Sequence, residues 1–214
     1  MNLPTIKNLS SPRYLAHRTL NRFLAQALRE KKFGIVLDIG SGKNPYKKFI
    51  HCDRYVSLDI ENRSGDPDVI ITDLNEKIPL GNNYGDCVIC TEVLEHVKKP
   101  AHALKEINRV LKPGGMLVLT TPMVWIHHEA PNDFFRYTKF ALEYLLVDAG
   151  FGRITIKPSN TYGYTLAQLM VANLRNSGWR PLVFCINIFG ILSNKFSRNY
   201  EMPLGHHVIA YKNI

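Results

Sequence analysis

The sequence has few cysteines and no long hydrophobic run, and both shortages limit what the chain can be. Its 214 residues include four cysteines, too few for a disulfide framework at this size. The longest apolar stretch, from Pro181 to Leu192, is interrupted by Asn187 and is too short to span a bilayer. The first residues, from Met1 to Pro4, do not begin an apolar segment like that of a secretory signal. We therefore expect a cytoplasmic protein.

Acidic residues are scarce relative to basic ones. The chain has 27 Lys and Arg against 18 Asp and Glu, a formal net charge of +9. An excess of this size favours anionic partners such as nucleic acid, phospholipid headgroups or phosphorylated substrates, without choosing among them. The hydrophobic fraction of 45% is that of a globular domain and excludes a disordered chain.

The pair Cys87 and Cys90 has the spacing of half a zinc site. It lies in a segment typical of a strand, where positions three apart face opposite sides. No second Cys or His pair follows at the spacing of a zinc finger. We expect two core cysteines and no metal site.

Strand and helix signals alternate along the chain, a pattern typical of a parallel sheet covered by helices. Apolar residues at helical spacing predict a leading helix over 13–32. Further helices are predicted from Pro100 to the Pro113-Gly114-Gly115 turn and after the capping residue Thr138. The predicted strands are Ile35–Ile39, Tyr55–Ile60, Val69–Asp73, Cys87–Thr91, Met116–Thr121, Phe151–Lys157 and His207–Lys212.

About 45 residues separate the last two strands, too many for an ordinary connection, so we expect extra helices there. The chain then divides into an N-terminal helical extension (1–33), a cofactor-binding core (34–157), a helical insertion (158–205) and a last strand (206–214). The aromatic-rich segment 159–203 can cover a site, join two copies of the chain, or rest on an anionic membrane through 181–196. The oligomeric state stays open.

The strongest local signal is a buried strand that ends in Asp38 and is followed by Gly40-Ser41-Gly42. Glycines there allow positive φ and a close approach of the backbone to a ligand. The third glycine of a dinucleotide fingerprint is missing, because Asn44 or Pro45 stands near its place, which argues against a bound pyrophosphate. A carboxylate in this turn suits a ligand with an amino group.

Two more acids follow strands at the same sheet edge. Asp59 ends the second strand, where a carboxylate accepts hydrogen bonds from both hydroxyls of a ribose. Asp73 ends the third strand and can accept from the exocyclic amine of adenine. An amine, a ribose and an adenine without phosphate describe S-adenosylmethionine.

Three motifs in order resemble class I S-adenosylmethionine-dependent methyltransferases of the type 11-like group. They are Leu37-Asp38-Ile39-Gly40-Ser41-Gly42, Glu92-Val93-Leu94-Glu95-His96 and Arg109-Val110-Leu111-Lys112-Pro113-Gly114-Gly115. The resemblance runs from about Gly34 to Phe151, and Val208 to Lys212 matches the family's last strand. It implies an α/β fold: a Rossmann-like, doubly wound, seven-stranded sheet with a reversed last strand.

The resemblance also implies which residues hold the cofactor. The glycine turn would lie against S-adenosylmethionine, Asp59 would bind the ribose, and Asp73-Leu74 would flank the adenine. The predicted cofactor-binding residues are Asp38, Gly40, Ser41, Gly42, Asp59, Ile60, Asp73, Leu74, Thr91, Glu92 and His96. One departure from the family is the short distance to the second strand, which leaves room for a helix only over about Tyr46 to Ile50.

The loop from Thr121 to Thr138 follows the fifth strand, and the resemblance implies that it faces the transferable methyl group. Its predicted catalytic residues are His128 as the first candidate for a general base, then His127 and Asp133. Trp125, Arg136 and Tyr137 are predicted to bind substrate. The histidines can also be ordinary loop residues, and Asp133 and Arg136 can form a structural brace.

We therefore expect a methyltransferase that acts on oxygen of a small-molecule, glycan- or lipid-linked acceptor, at most in peripheral contact with the inner membrane face. An RNA methyltransferase is an alternative that the basic charge favours, although no RNA-binding module is recognisable and nucleic acid is not the favoured partner. A binding protein with this fold and no catalysis is the other alternative.

Overall fold

The computed structural model describes residues 8–175 and 177–214, so Met1 to Pro4 lie outside the described residues. Its strands are β1 (Phe33–Ile39), β2 (Cys52–Asp59), β3 (Ile70–Ile71), β4 (Gly85–Thr91), β5 (Leu111–Pro122), β6 (Phe151–Pro158) and β7 (Gly205–Lys212). Its helices are α1 (Tyr14–Leu28), α2 (Pro100–Val110), α3 (Lys139–Asp148), α4 (Tyr162–Asn173) and α5 (Arg180–Phe196).

All seven strands form one sheet in the order β3-β2-β1-β4-β5-β7-β6. The strands from β1 to β5 pair in parallel, whereas β7 runs antiparallel between β5 and β6. This arrangement confirms the predicted Rossmann-like sheet with a reversed last strand. Since β1, β2 and β4 are parallel neighbours, their carboxyl ends meet at one edge.

Apolar side chains fill both faces of the sheet. One face packs α2 and α3 over a cluster that includes Leu37 and Cys90, and the other packs α1 over a cluster that includes Val36 and Cys87. Strand alternation therefore places the two cysteines on opposite faces, as predicted.

A third cluster joins the N-terminal extension to the helical insertion. Leu15 of α1 packs with Tyr164 and Val183 of the insertion, and the Tyr164 hydroxyl donates to the Leu15 carbonyl at 2.8 Å. The extra helices expected between the last two strands are thus α4 and α5. Among the described residues, no helix is long and apolar enough to cross a membrane.

Some boundaries differ from the prediction. Helix α1 ends at Leu28 rather than near residue 32, and β3 keeps only Ile70–Ile71 because it is a short edge strand that pairs with β2 alone. Helix α2 ends at Val110 because Leu111 already pairs with Gly85 of β4. The short helix expected after the glycine turn is a single 3-10 turn, Lys47–Phe49.

Candidate functional site

The turn after β1 brings the backbone of Gly40 against the loop that follows β4. Gly40 has φ +69°, and a Cβ atom at this position would collide with the side chain of Val93. The amides of Gly40 and Ser41 both donate to the Leu58 carbonyl, at 2.8 and 3.1 Å, which ties the turn to β2. The geometry therefore requires glycine at position 40.

The carboxylate of Asp59 joins two strand ends. Its Oδ2 accepts from the Gly42 amide at 2.7 Å, and its Oδ1 accepts from the Glu61 amide at 3.4 Å. The residue is 7% exposed. Each carboxylate oxygen can accept a further bond, so Asp59 can bind a ligand while it holds the glycine turn.

A cavity of about 270 Å³, named here the strand-edge cavity, opens beside this carboxylate. The predicted cofactor-binding residues that line it are Gly40, Asp59, Ile60, Asp73, Leu74, Glu92 and His96. Ile60, which is 59% exposed, and the buried Leu74 add apolar surface to the same wall as Asp59 and Asp73. The cavity thus combines acids that accept hydrogen bonds with apolar surface for a flat ring.

Asp38 lies behind this cavity rather than in its wall. The side chain is buried, and the Tyr55 hydroxyl donates to its Oδ2 at 2.5 Å. Burial raises the pKa of Asp38 to about 7, although the hydrogen bond from Tyr55 lowers it. The placement favours a role in supporting the turn over direct contact with a ligand.

A second cavity of about 270 Å³, named here the loop cavity, lies between α1, the loop after β5 and the start of β7. Trp125 and His128 line it from the loop, and His17 and Leu20 line it from α1. The strand-edge cavity and the loop cavity share three wall residues, which are Glu92, His96 and Glu129. A ligand in one cavity can therefore approach a ligand in the other at His96.

The loop after β5 is held in place by Asp133. Arg136 binds this carboxylate in a bidentate pair, with N–O distances of 2.6 and 2.8 Å, and the His128 amide donates to it at 3.1 Å. The guanidinium of Arg136 holds the pKa of Asp133 well below its usual range. Asp133 and Arg136 thus form the structural brace that the sequence left as an alternative.

The two loop histidines have different surroundings. His128 is partly buried, and its Nδ1 lies 3.2 Å from the Ile126 carbonyl and 3.5 Å from Asp133 Oδ2. A proton on Nδ1 has an acceptor there, which leaves Nε2 free to accept a proton. His127 has a fully exposed side chain, and its Nδ1 lies 3.6 Å from the same oxygen of Asp133.

A buried acid stands beside His96. Glu95 has no exposed surface, and neither of its carboxylate oxygens has a hydrogen-bond partner among the described residues. Burial, followed by the nearby Glu92, raises the pKa of Glu95 well above its usual range. Its Oε1 lies 3.7 Å from His96 Nε2, and the His96 ring meets that of His128 edge-on at 4.7 Å.

Glu95, His96 and His128 bring possible metal-ligating atoms within 4.8 Å of one another. Imidazole and carboxylate groups are ligands that zinc accepts. His96 Nδ1 lies 2.6 Å from the Asn132 carbonyl, however, and the guanidinium of Arg136 adds a positive charge nearby. The absence of a metal site stays a prediction.

The chain matches known proteins over the same segments. Residues 37–119 match the methyltransferase domain family. The ubiquinone/menaquinone biosynthesis C-methyltransferase UbiE of Pseudomonas fluorescens is 28% identical over 188 residues, which covers 65% of this chain and 73% of that protein. A tRNA U34 carboxymethyltransferase of Helicobacter acinonychis is 44% identical over 54 residues, 25% of this chain and 20% of that protein.

The fold also matches solved structures. A SAM-dependent methyltransferase from Archaeoglobus fulgidus superposes with a TM-score of 0.61 at 18% identity, over 94% of each chain. Together these matches support a class I S-adenosylmethionine-dependent methyltransferase core over residues 37–119. Several curated relatives match over short segments only, which span 13% to 34% of their own lengths.

The strand-edge cavity of the methyltransferase domain fits the cofactor of this family, S-adenosylmethionine. Asp59 can accept from the ribose, Ile60 and Leu74 can cover the faces of the adenine, and Asp73 can meet its amine. The hydroxyl of Ser41 is buried without a hydrogen-bond partner among the described residues, and it belongs to the glycine turn expected against the cofactor. When bound, the cofactor supplies an activated methyl group.

Other predicted residues of the methyltransferase domain take different places. Tyr137 lies in the core instead of a cavity, because its ring is buried and its hydroxyl donates to the Leu94 carbonyl at 3.0 Å. Ser41, Gly42 and Thr91 are not among the residues that line the strand-edge cavity in the described part of the chain. Gly42 instead helps to hold the Asp59 carboxylate in place through its backbone amide, which donates to Oδ2.

Sequence reasoning missed part of the loop cavity. No site role was predicted for His206 and His207, yet β7 lies inside the sheet and both residues line this cavity. Burial lowers the pKa of His207 to about 4. The signal that could have found them is the reversed last strand itself, which places the start of β7 beside the end of β5.

Proposed function

We propose that this chain transfers a methyl group from S-adenosylmethionine to an oxygen of an acceptor in the loop cavity. The acceptor is a small molecule or a group carried by a glycan or lipid. One observation carries the proposal: the loop cavity and the strand-edge cavity share Glu92, His96 and Glu129. A cofactor in one cavity and an acceptor in the other can therefore meet at this shared wall.

Methyl transfer is an in-line displacement, so the enzyme mainly aligns the two reactants. An acceptor hydroxyl must also lose its proton, and we assign this proton to His128 Nε2. Asp133 holds the backbone of His128 and faces its Nδ1. Trp125 provides an aromatic wall for the acceptor. Arg136 acts through Asp133, because its guanidinium already donates both terminal nitrogens to that carboxylate.

Similarity to UbiE supports a different acceptor atom. That relative is named a C-methyltransferase and aligns over 65% of this chain. Carbon methylation would use the same two cavities. If the methylated product carries its new methyl group on carbon, the proposal of an oxygen acceptor is wrong. The proposed places of the cofactor and the acceptor would still hold.

The outer face of α5 supports peripheral contact with an anionic membrane. Phe184, Phe189, Leu192 and Phe196 are exposed on this helix, and Arg180 and Lys195 stand near its two ends. An apolar face with basic neighbours can rest at a lipid headgroup layer. Co-sedimentation with phosphatidylglycerol vesicles at low salt is expected, and a protein that stays in the supernatant would contradict the membrane contact.

The experiment that tests the function begins with the cofactor. We expect S-adenosylhomocysteine to bind in calorimetric titration, and Asp59→Asn to weaken it at least tenfold, because a charge-assisted acceptor for the ribose is lost. Asp68→Asn, the same change at an exposed position, is the matched control and should bind normally.

The second step measures methyl transfer from labelled S-adenosylmethionine to candidate hydroxyl acceptors. Product from a hydroxyl acceptor supports the proposal. Normal cofactor binding without transfer to any acceptor would favour the binding-protein alternative, and transfer to RNA alone would favour the RNA alternative. Absence of cofactor binding would contradict all three.

A further inference from the structure

A third cavity, of about 380 Å³, lies between α1, β6 and α5, and is named here the basic cavity. Arg18 and Arg22 enter it from α1, and Lys157 enters it from β6. No Asp or Glu is among the described residues that line it. None of the three cations forms a salt bridge with a described residue, although Arg18 donates to the Tyr14 hydroxyl at 3.1 Å.

The uncharged part of the wall adds hydrogen-bond donors. Gln26 lines the cavity from α1 and Asn194 lines it from α5, whereas the Thr19 hydroxyl already donates to the Ala16 carbonyl at 3.0 Å. The Asn194 side-chain oxygen already accepts from the Thr161 amide at 2.8 Å, so its NH₂ group remains to donate. Charged and neutral donors thus face the same space, which suits an acceptor-only anion.

The basic cavity adjoins the loop cavity. Thr19, Ser159 and His207 line both. The His207 ring lies at this shared wall and stacks on Phe23, with centroids 4.3 Å apart. One elongated ligand can therefore occupy both cavities.

We propose that the basic cavity binds a phosphate or diphosphate ester of the acceptor while the methylated group lies in the loop cavity. Three unpaired cations match the charge of a diphosphate, whereas a single carboxylate would leave two of them uncompensated. Guanidinium groups also bind phosphate oxygens in a bidentate geometry. That the bound ester is the methyl acceptor rests on the proposed function. Anion binding itself can be measured without turnover.

The test is calorimetric titration of the full chain with inorganic diphosphate. We expect saturable binding that weakens at least tenfold in the double variant Arg22→Gln, Lys157→Gln. The matched control is Arg29→Gln, Lys32→Gln, which removes the same charge next to α1 at exposed positions outside the cavity, and should change affinity less than twofold. Equal weakening in both variants, or no saturable binding by the wild type, would overturn the proposal.

Two further arms separate the sources of the phosphate. A nucleoside diphosphate tests a soluble acceptor, and phosphatidylcholine vesicles that contain a polyprenyl diphosphate test a lipid-linked one. The tighter ligand names the source, provided that the double variant weakens it. S-adenosylhomocysteine binding should be unchanged in both double variants. If diphosphate binds and methyl transfer is never found, the proposed function fails and the anion site stands.

Discussion

The strand-edge cavity and the loop cavity are built in different ways. The first takes its key groups from the carboxyl ends of β1, β2 and β4 and the residues next to them, such as Gly40, Asp59 and Glu92. The second is assembled from α1, the loop after β5 and the start of β7, which are far apart in the sequence. A site made by neighbouring strand ends is specified locally, whereas the other depends on how distant elements pack.

The strand-edge cavity and the basic cavity also carry charges of opposite sign. The strand-edge cavity has acids at its wall, including Asp59, Asp73 and Glu92. The basic cavity beyond the loop cavity has cations and no acid among its described wall residues. The molecule therefore offers hydrogen-bond acceptors to a cationic nucleoside at one end and donors to an anion at the other.

Removal of the proposed base is expected to have the largest effect on the rate of methyl transfer. It should also show that the loop cavity and the strand-edge cavity have separate roles. His128→Ala should lower the rate of methyl transfer about 100-fold or more, because general base catalysis contributes about 10²–10⁴-fold. S-adenosylhomocysteine affinity should stay unchanged, since His128 does not line the strand-edge cavity. Turnover and calorimetric titration measure the two effects.

His127→Ala is the matched control for that variant. Its side chain is fully exposed, so transfer should continue at nearly the wild-type rate. If His127→Ala were the more damaging change, the base would be misassigned. Loss of cofactor affinity in His128→Ala would show that the two cavities are less separate than their walls indicate.

An alanine in place of Gly40 tests whether the strand-edge cavity depends on the local conformation of the glycine turn. Gly40→Ala should cost about 2–4 kcal/mol of unfolding free energy, because positive φ costs about 1–2 kcal/mol and the contact with Val93 adds overpacking. Cofactor affinity should fall as well. Urea denaturation and titration with S-adenosylhomocysteine measure both.

Gly65→Ala isolates the backbone term. Gly65 has φ +73°, but a Cβ atom there would have open space, so only about 1 kcal/mol should be lost and cofactor affinity should persist. Equal losses in both variants would mean that backbone strain alone, and not the approach to Val93, requires glycine in the turn.

Seven of the predicted cofactor-binding residues meet at the strand-edge cavity because the signals that point to them are local. A buried strand followed by Gly40-Ser41-Gly42 fixes a turn, and a second parallel strand that ends in Asp59 must finish at the same sheet edge. The seven-stranded sheet and its reversed last strand followed from the family resemblance, and the structure confirms them. Which of these residues bind the cofactor stays a prediction.

The loop cavity was less predictable, because burial there depends on tertiary packing. Tyr137 is of a residue type that often binds ligands, but its ring is buried in the core and its hydroxyl donates to the carbonyl of Leu94, shortly after β4. His206 and His207 became wall residues only because β7 inserts between β5 and β6. His17 and Leu20 of α1 carry no motif at all, so no local signal could have placed them at a site.

A pH-dependent effect is expected from the acid behind the glycine turn. The folded state raises the pKa of Asp38 from 3.8 to about 7, so it binds a proton that the unfolded chain releases at lower pH. The stability contributed by this group is therefore present below about pH 4 and is lost as the pH rises to about 7. Asp38→Asn does not titrate and keeps an acceptor for the Tyr55 hydroxyl.

The variant should therefore gain on the wild type as the pH rises. We expect Asp38→Asn to be slightly less stable at pH 4.5, where its amide hydrogens lack partners, and more stable at pH 8, because a pKa raised from 3.8 to about 7 costs the ionised wild type up to about 4 kcal/mol there. Urea denaturation of both proteins at the two pH values measures this change of sign. A difference that does not vary with pH would mean that Asp38 is ionised in the folded protein, and a direct charge contact with the cofactor's amine would again be the better interpretation.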